Sequence, residues 1–275
     1  VHLALASATG TGKSYTGQAV TEFNLRDDED GFGDSDREYD GVVALDYCDE
    51  FRGLVKAGMA KHWLVGEREL SWSAEQWATF LKRNPSVILA KHELSDEQWR
   101  EVCDTVIAGI RLLDLDLLLV VDEAHTVAPQ ATKLLPNIRW LAQTGRKRGI
   151  SAIWITQKLS EIDKVVISQA TAWLMGGFKE ENDLNKLSGV LDYDEDVHKL
   201  GGHSVPSIAG RDELLPADGE ARSVRVHREG DQTVGMEFVF SDDEGTTARL
   251  NTQDWNPKAP HYAREGNKIS IPGIE

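Results

Sequence analysis

Two short stretches of the chain carry residue types suited to handling phosphate. Residues 7–14 read Ser-Ala-Thr-Gly-Thr-Gly-Lys-Ser. Gly10 and Gly12 let backbone N–H groups turn inward around anionic oxygens. Lys13 supplies an ammonium that can bridge β- and γ-phosphates, and Ser14 supplies a hydroxyl for Mg2+. The cradle comprises Thr9, Gly10, Thr11, Gly12, Lys13, Ser14 and Tyr15. Such loops usually open with Gly; here Ser7 stands there and must accept the backbone geometry that Gly relaxes. The second stretch, residues 117–123, reads Leu-Leu-Leu-Val-Val-Asp-Glu. An apolar strand thus delivers two adjacent acids, Asp122 as a Mg2+ ligand through water and Glu123 as the general base for an attacking water. The chemistry these residues suit is hydrolysis of ATP with Mg2+.

For that chemistry the loop must lie between a strand and a helix, and the acids must sit at a strand's carboxyl end. The pattern meets both demands. Residues 1–6 read as a strand and 15–25 as a helix whose positive dipole end faces the loop. Further strands are expected at 41–46, 62–65, 86–91, 115–122, 150–156 and 173–176. Helices are expected at 73–83, capped by Ser73, and at 95–113, where Ser95 and Gln98 fit a capping box. Others are expected at 136–148 and 180–191. Alternating strands and helices predict a mostly parallel α/β sheet with helices on both faces. After residue 200 the texture changes to Pro, Gly and two alternating runs, 223–227 and 234–240, with a turn at 228–231. The division expected is a core at 1–200 and a β-hairpin attachment with an extended tail at 201–275.

The chain has 275 residues and a net charge of −16, from 46 acids against 30 bases. That balance repels nucleic acid unless the bases are gathered in one place. Spread acidity with few lysines also suits a high-salt cytoplasm. Residues 27–40 hold eight acids and one base, Arg37, without the ligand order of an EF-hand, and read as a solvated loop. Between residues 133 and 164 the bias reverses, with Lys133, Arg139, Arg146, Lys147, Arg148, Lys158 and Lys164 against Glu161 and Asp163. These bases could face nucleotide, a neighbour's acids or DNA phosphates. Cys48 and Cys103 read as buried, reduced thiols of a cytosolic protein. No run is long enough to span a membrane, and no basic region marks a signal peptide.

The arrangement resembles the HerA/FtsK superfamily of P-loop ATPases, which have a RecA-like (ASCE) core. The resemblance covers residues 1–191 and rests on order as well as motifs. A second strand ends in Asp46-Tyr-Cys-Asp-Glu50-Phe51, the two acids at 122–123 follow, then Thr144-Gly-Arg146-Lys-Arg148-Gly-Ile, then a strand ending in Thr156-Gln157, and Glu180-Glu-Asn-Asp183 comes next. The resemblance implies that Gln157 senses the γ-phosphate. It also implies that Arg146 or Arg148 reaches a neighbouring subunit's nucleotide, which requires a ring, by expectation a hexamer.

Asp122-Glu-Ala-His125 also invites comparison with DEAH-box helicases, but those need a second RecA-like domain of roughly 100 or more residues. The expected function is therefore a DNA-translocating motor, a genome-packaging ATPase of a virus or provirus from a high-salt host. It would work in the host cytoplasm or on the virion, beside capsid or membrane-vertex proteins. The alternatives are a Zot-like assembly or secretion ATPase and a nucleotide-dependent scaffold. His125 is expected either to couple to the site or to pack locally.

Overall fold

The computed structural model describes residues 1–25, 39–229 and 232–261. Of the acidic stretch 27–40 only Tyr39 and Asp40 fall within them, and the expected tail is described only to residue 261.

The strands are β1 (His2–Ala6), β2 (Gly41–Asp46), β3 (Lys61–Val65), β4 (Val87–Lys91), β5 (Leu117–Val121), β6 (Ile150–Thr156), β7 (Ala172–Met175), β8 (Val226–Glu229), β9 (Gln232–Asp242) and β10 (Thr247–Asn251). They form one sheet in the order β10-β9-β7-β1-β6-β5-β2-β4-β3, with β8 paired to β9. The seven strands from β7 to β3 run parallel. β9 lies antiparallel to β7, and β10 antiparallel to β9. Registry aligns the carboxyl ends: Ala6 stands beside Thr156 and Met175, and Leu45 beside Val121. One edge of the sheet therefore gathers the residues that follow β1, β2, β5, β6 and β7.

Both faces are covered, so the strands need no polar face. On β2, Val43 and Leu45 enter one core while Val42 and Ala44 enter the other; on β5, Leu117, Leu119 and Val121 alternate with Leu118 and Val120. The first core is closed by α3 (Ala74–Arg83), α4 (Asp96–Ile110), α6 (Pro136–Thr144) and α7 (Lys164–Gln169), and the second includes Phe51 and Leu54 around α2 (Arg52–Lys56). α1 (Lys13–Phe23) packs on β6 through Gly17, where a Cβ would stand 2.5 Å from Ile155 Cδ1. Two short helices, α5 (Ala124–Val127) and α8 (Glu181–Leu187), complete the set.

The caps read from sequence are present. Ser95 Oγ accepts from Gln98 N–H, and Gln98 Oε1 accepts from Ser95 N–H; Ser73 and Gln76 repeat the arrangement. The helix expected over 136–148 stops at Thr144. A 3-10 turn, Gly145–Arg148, follows and ends at Gly149 with φ +84°, a conformation only glycine takes freely. The helix expected over 180–191 is likewise shorter, because a turn follows Leu187. Cys103 is buried but Cys48 is exposed, because it sits in the turn after β2 rather than in the strand.

The hairpin expected near residue 230 is β8–β9, and β9 extends the central sheet through β7. A buried ion triad fixes it. Arg222 donates Nη1 and Nη2 to the two oxygens of Glu237 (2.8 and 3.0 Å), and Arg249 Nη2 donates to Glu237 Oε2 (2.7 Å). Arg249 also donates to the carbonyls of Leu214, Arg222 and Ser223. Burial alone would raise the Glu237 pKa, but the two arginines bring it down to about 2 from its ordinary 4.5. A depressed carboxylate stabilises the fold above its unfolded pKa and loses that contribution as pH falls through the folded one. Stability at this end of the sheet should therefore fall as pH drops from 4.5 towards about 2. In thermal or denaturant unfolding, Glu237→Ala should cost about 3 to 5 kcal/mol at neutral pH, since it strands two buried guanidiniums. It should also flatten the acid limb.

Candidate functional site

The loop between β1 and α1 is held open by its two glycines. Gly10 and Gly12 have φ of +78° and +82°, and a Cβ at either would meet nothing within 4 Å, so both border open space. Gly12 caps α1 with no side-chain hydrogen bond, which leaves the first N–H groups of the helix directed at that space.

Ser7 needs no left-handed backbone: among the described residues the non-glycine positions with positive φ are Asp49, Glu93 and Glu123. Its side chain is fully buried, and its Oγ lies 2.7 Å from Thr11 Oγ1, which in turn donates to the Ala8 carbonyl at 2.5 Å. The room comes from across the sheet. A Cβ on Gly176, just after β7, would stand 2.4 Å from Ser7 Oγ. The hydroxymethyl missing from the usual Gly position thus fills the space left by a glycine on the neighbouring strand.

Lys13 points at the acids at the end of β5. Its Nζ donates to Glu123 Oε1 at 3.2 Å and stands 3.9 Å from Asp122 Oδ1. All three residues are buried, at 7%, 7% and 1% exposure for Lys13, Glu123 and Asp122. Burial would lower the lysine pKa, but Asp122 and Glu123 outweigh it and hold the ammonium above its usual range. Asp122 is pushed up by burial, a shift that Lys13 opposes and Glu50 adds to. Glu123 is also pushed up by burial, with Lys13 opposing. Glu123 has φ +44°, strained for a non-glycine residue, and this kink aims its carboxylate back at the loop.

The carboxylate oxygens of Asp122 are buried and have no side-chain hydrogen-bond donor among the described residues. Such a carboxylate fits a cation or its bound water. Among the described residues no cluster of three or more His, Cys, Asp or Glu could hold a metal by itself. Mg2+ is ordinarily shared between one or two protein ligands, phosphates and water. Ser14 and Asp122 are the donors this chain would offer.

Gln157 follows β6 and reaches the loop, where Thr9 Oγ1 donates to its Oε1 at 2.5 Å. The strand order places β6 between β1 and β5, so Gln157 stands between the loop and the acids. His125 Nδ1 lies 3.2 Å from Glu123 Oε2 and 3.1 Å from Thr156 Oγ1. Burial lowers its pKa and so disfavours an imidazolium beside Glu123. Asp183 accepts from Ser160 N–H at 2.7 Å and ties α8 to the segment after β6.

Asp46, at the end of β2, is fully buried and accepts the N–H groups of Glu50 (3.0 Å) and Phe51 (2.9 Å). Burial, then the nearby Asp122, raises its pKa well above the ordinary value. Its role is to shape the acidic turn 46–51. Asp49 in that turn has φ +58° and is held by Arg52 and by His62 Nε2 at 2.9 Å. The fixed acid at the strand end could be read from sequence. Its service to the turn could not, because the partners are backbone amides.

Arg146 and Arg148 do not join this site. They are exposed and lie before β6, whereas Gln157 lies after it. The seven residues of β6 span about 20 Å. The basic excess is therefore divided, with Arg146, Lys147 and Arg148 on the edge away from the loop and Lys158 on the loop edge.

No family model and no curated protein sequence matches the chain. Solved structures do. The genome-packaging NTPase B204 from Sulfolobus turreted icosahedral virus 2, in complex with sulfate, aligns at 13% identity over 90% of this chain and 94% of that one, with a TM-score of 0.51. The same protein in complex with ATP-gammaS gives 0.50 at the same identity and coverage. The N-terminal domain of zonular occludens toxin from Neisseria meningitidis aligns at 13% identity over 91% of this chain and 93% of that one, but its TM-score of 0.37 carries no argument. The likeness to B204 establishes the fold: a RecA-like P-loop NTPase core.

Two outcomes follow from this geometry. Glu123→Gln should keep ATP binding while lowering turnover by about 10²-fold or more in a phosphate-release assay. Gly176→Ala should weaken ATP binding by crowding Ser7, and adding Ser7→Gly should recover part of the loss in a double-mutant cycle.

Proposed function

We propose that this chain is a Mg2+-dependent ATPase that moves DNA, a genome-packaging motor of a virus or provirus whose host has a high-salt cytoplasm. The observation that carries the reading is the meeting of Lys13 with Asp122 and with Glu123, which lies 110 positions away in the chain, beside a glycine cradle. The fold shared with a packaging NTPase seen with an ATP analogue supports it.

Each residue has a defined task. Backbone N–H groups of residues 10–14 receive the phosphate oxygens, and the Lys13 ammonium offsets charge between the β- and γ-phosphates. Glu123 takes the proton from the attacking water; its raised pKa suits a base that must release that proton again. In this reading Gln157, tied to Thr9, senses the γ-phosphate, and His125, whose imidazolium burial disfavours, orients Glu123. Mg2+, when held by Ser14 and Asp122, would supply further charge neutralisation on the phosphates.

Arg146 and Arg148 are too far from this site to serve it in the same subunit. In this reading one of them stabilises transferring charge in a neighbour's site, within a ring that we take to be a hexamer. Such an arginine contributes about 10³-fold or more to turnover. The divided basic residues leave Lys158 and its neighbours on the loop edge for DNA phosphates. The chain would act in the host cytoplasm or at the virion, against capsid or membrane-vertex proteins. Among the described residues no helix is long and apolar enough to cross a membrane.

The test is ATP hydrolysis in several-molar salt with and without duplex DNA, beside a mass measurement of the oligomer. Duplex should raise turnover, Lys13→Ala should abolish it, and Arg146→Ala or Arg148→Ala should lower turnover while leaving ATP binding unchanged. A monomer whose hydrolysis ignores DNA would sink the motor reading.

A further inference from the structure

The last described residues form a strap along α1, and its register is informative. Tyr15, Gln18 and Glu22 recur at helical spacing and share one face of the helix. Glu22, at 0% exposure, accepts the backbone N–H groups of Lys258 (2.6 Å) and Ala259 (2.8 Å). Gln18 donates Nε2 to the carbonyls of Ala259 and Pro260, both at 3.3 Å. The His261 ring meets Tyr15 edge-on, with centroids 5.7 Å apart and planes at 83°. The strap thus climbs α1 from its carboxyl end towards the phosphate loop. Phe23 against Trp255, at 5.9 Å, secures the lower end. Gly53 permits the approach, since a Cβ there would stand 1.9 Å from the Pro260 carbonyl oxygen.

A buried carboxylate and a buried amide are here committed to the backbone of three residues. What they position is His261, beside the first turn of α1. A triphosphate seated in the cradle has its γ-end at Lys13 and Glu123, so its α-end leaves past that first turn. The base beyond it is a flat π-surface that needs a stacking partner. Among the described residues, Tyr15 and His261 are the aromatic pair in contact at this end of α1. Both are half-buried.

We propose that Tyr15 and His261 form the wall on which the nucleobase stacks, so that the strap 258–261 sets affinity for nucleotides over bare polyphosphate. The inference rests on the nucleotide reading above and extends it to the other end of the ligand.

The test measures binding of ATP, UTP and inorganic tripolyphosphate to the full chain with Mg2+ by titration calorimetry. His261→Ala should weaken ATP roughly tenfold, leave tripolyphosphate unchanged and bring the ATP-to-UTP affinity ratio towards one, while Tyr15→Ala, which also touches the cradle, should weaken ATP more than it weakens tripolyphosphate. Tyr15→Phe and His261→Phe should keep the native ATP affinity. The wall is overturned if the alanine variants lose ATP and tripolyphosphate equally, if they lose neither, or if the native chain binds both alike. Lys13→Ala separates the two readings. It should weaken both ligands, and indifference of both to that change would overturn the phosphate site itself.

Discussion

The structure is organised around one buried ammonium shared by two carboxylates. Lys13 lies 3.2 Å from Glu123 and 3.9 Å from Asp122, with all three nearly out of contact with water. Buried charge is tolerable only when paired, and an unpartnered member would cost several kcal/mol. The trio therefore constrains the register of β1 against β5 through the intervening β6. Burial pushes both acids towards protonation against the pull of Lys13, while their charge holds the lysine protonated. Asp46, raised by burial and then by Asp122, adds a third carboxylate beside them. Such a site is electrostatically prepared for a further cation and for the phosphates that accompany it.

Around that trio, close approaches of backbone do the positioning. Gly17 lets α1 settle on Ile155, Gly176 receives Ser7, and Gly53 admits Pro260. Each acts by leaving out a side chain where another element must come within contact distance. The loop is consequently clamped from the sheet side by Ser7 and Thr11, and α1 is clamped from the opposite side by the strap. Its N–H groups keep a fixed aim, which suits electrostatic stabilisation that costs no reorganisation during reaction.

Much of this was legible in sequence, for local reasons. The strands 41–46 and 150–156 have the expected bounds because they are apolar on both faces and bounded by turn residues. The capping boxes were legible because they are closed within four residues. The cradle and the paired acids were legible because their chemistry allows few alternatives. What escaped depends on partners distant in the chain. The ease of Ser7 follows from Gly176, and the strap joins residues 236 to 242 positions apart. The hairpin could be read, but its addition to the edge of the parallel sheet could not, since pairing of β9 with β7 leaves no local mark in either strand. The triad of Arg222, Glu237 and Arg249 likewise joins residues 12 to 27 positions apart through contacts that leave no local mark.

Exclusion of Arg146 and Arg148 from the site has a consequence for assembly. Among the described residues, Lys13 has the carboxylates of Asp122 and Glu123 as its ion-pair partners. Charge developing on a transferring phosphate would meet that lysine, the helix dipole and, on the same edge, Lys158, which is paired with Glu161. P-loop hydrolysis with one protein cation is slow, and an added arginine commonly raises it by several powers of ten. The exposed Arg146 and Arg148 lie on the opposite edge of the sheet, about 20 Å away along β6. A second copy that set this edge against the loop of the first would bring a further guanidinium to it. It would also set basic residues against an acidic mouth. In the function proposed above, oligomerisation would thereby add charge to the active site itself rather than serve as an accessory to it.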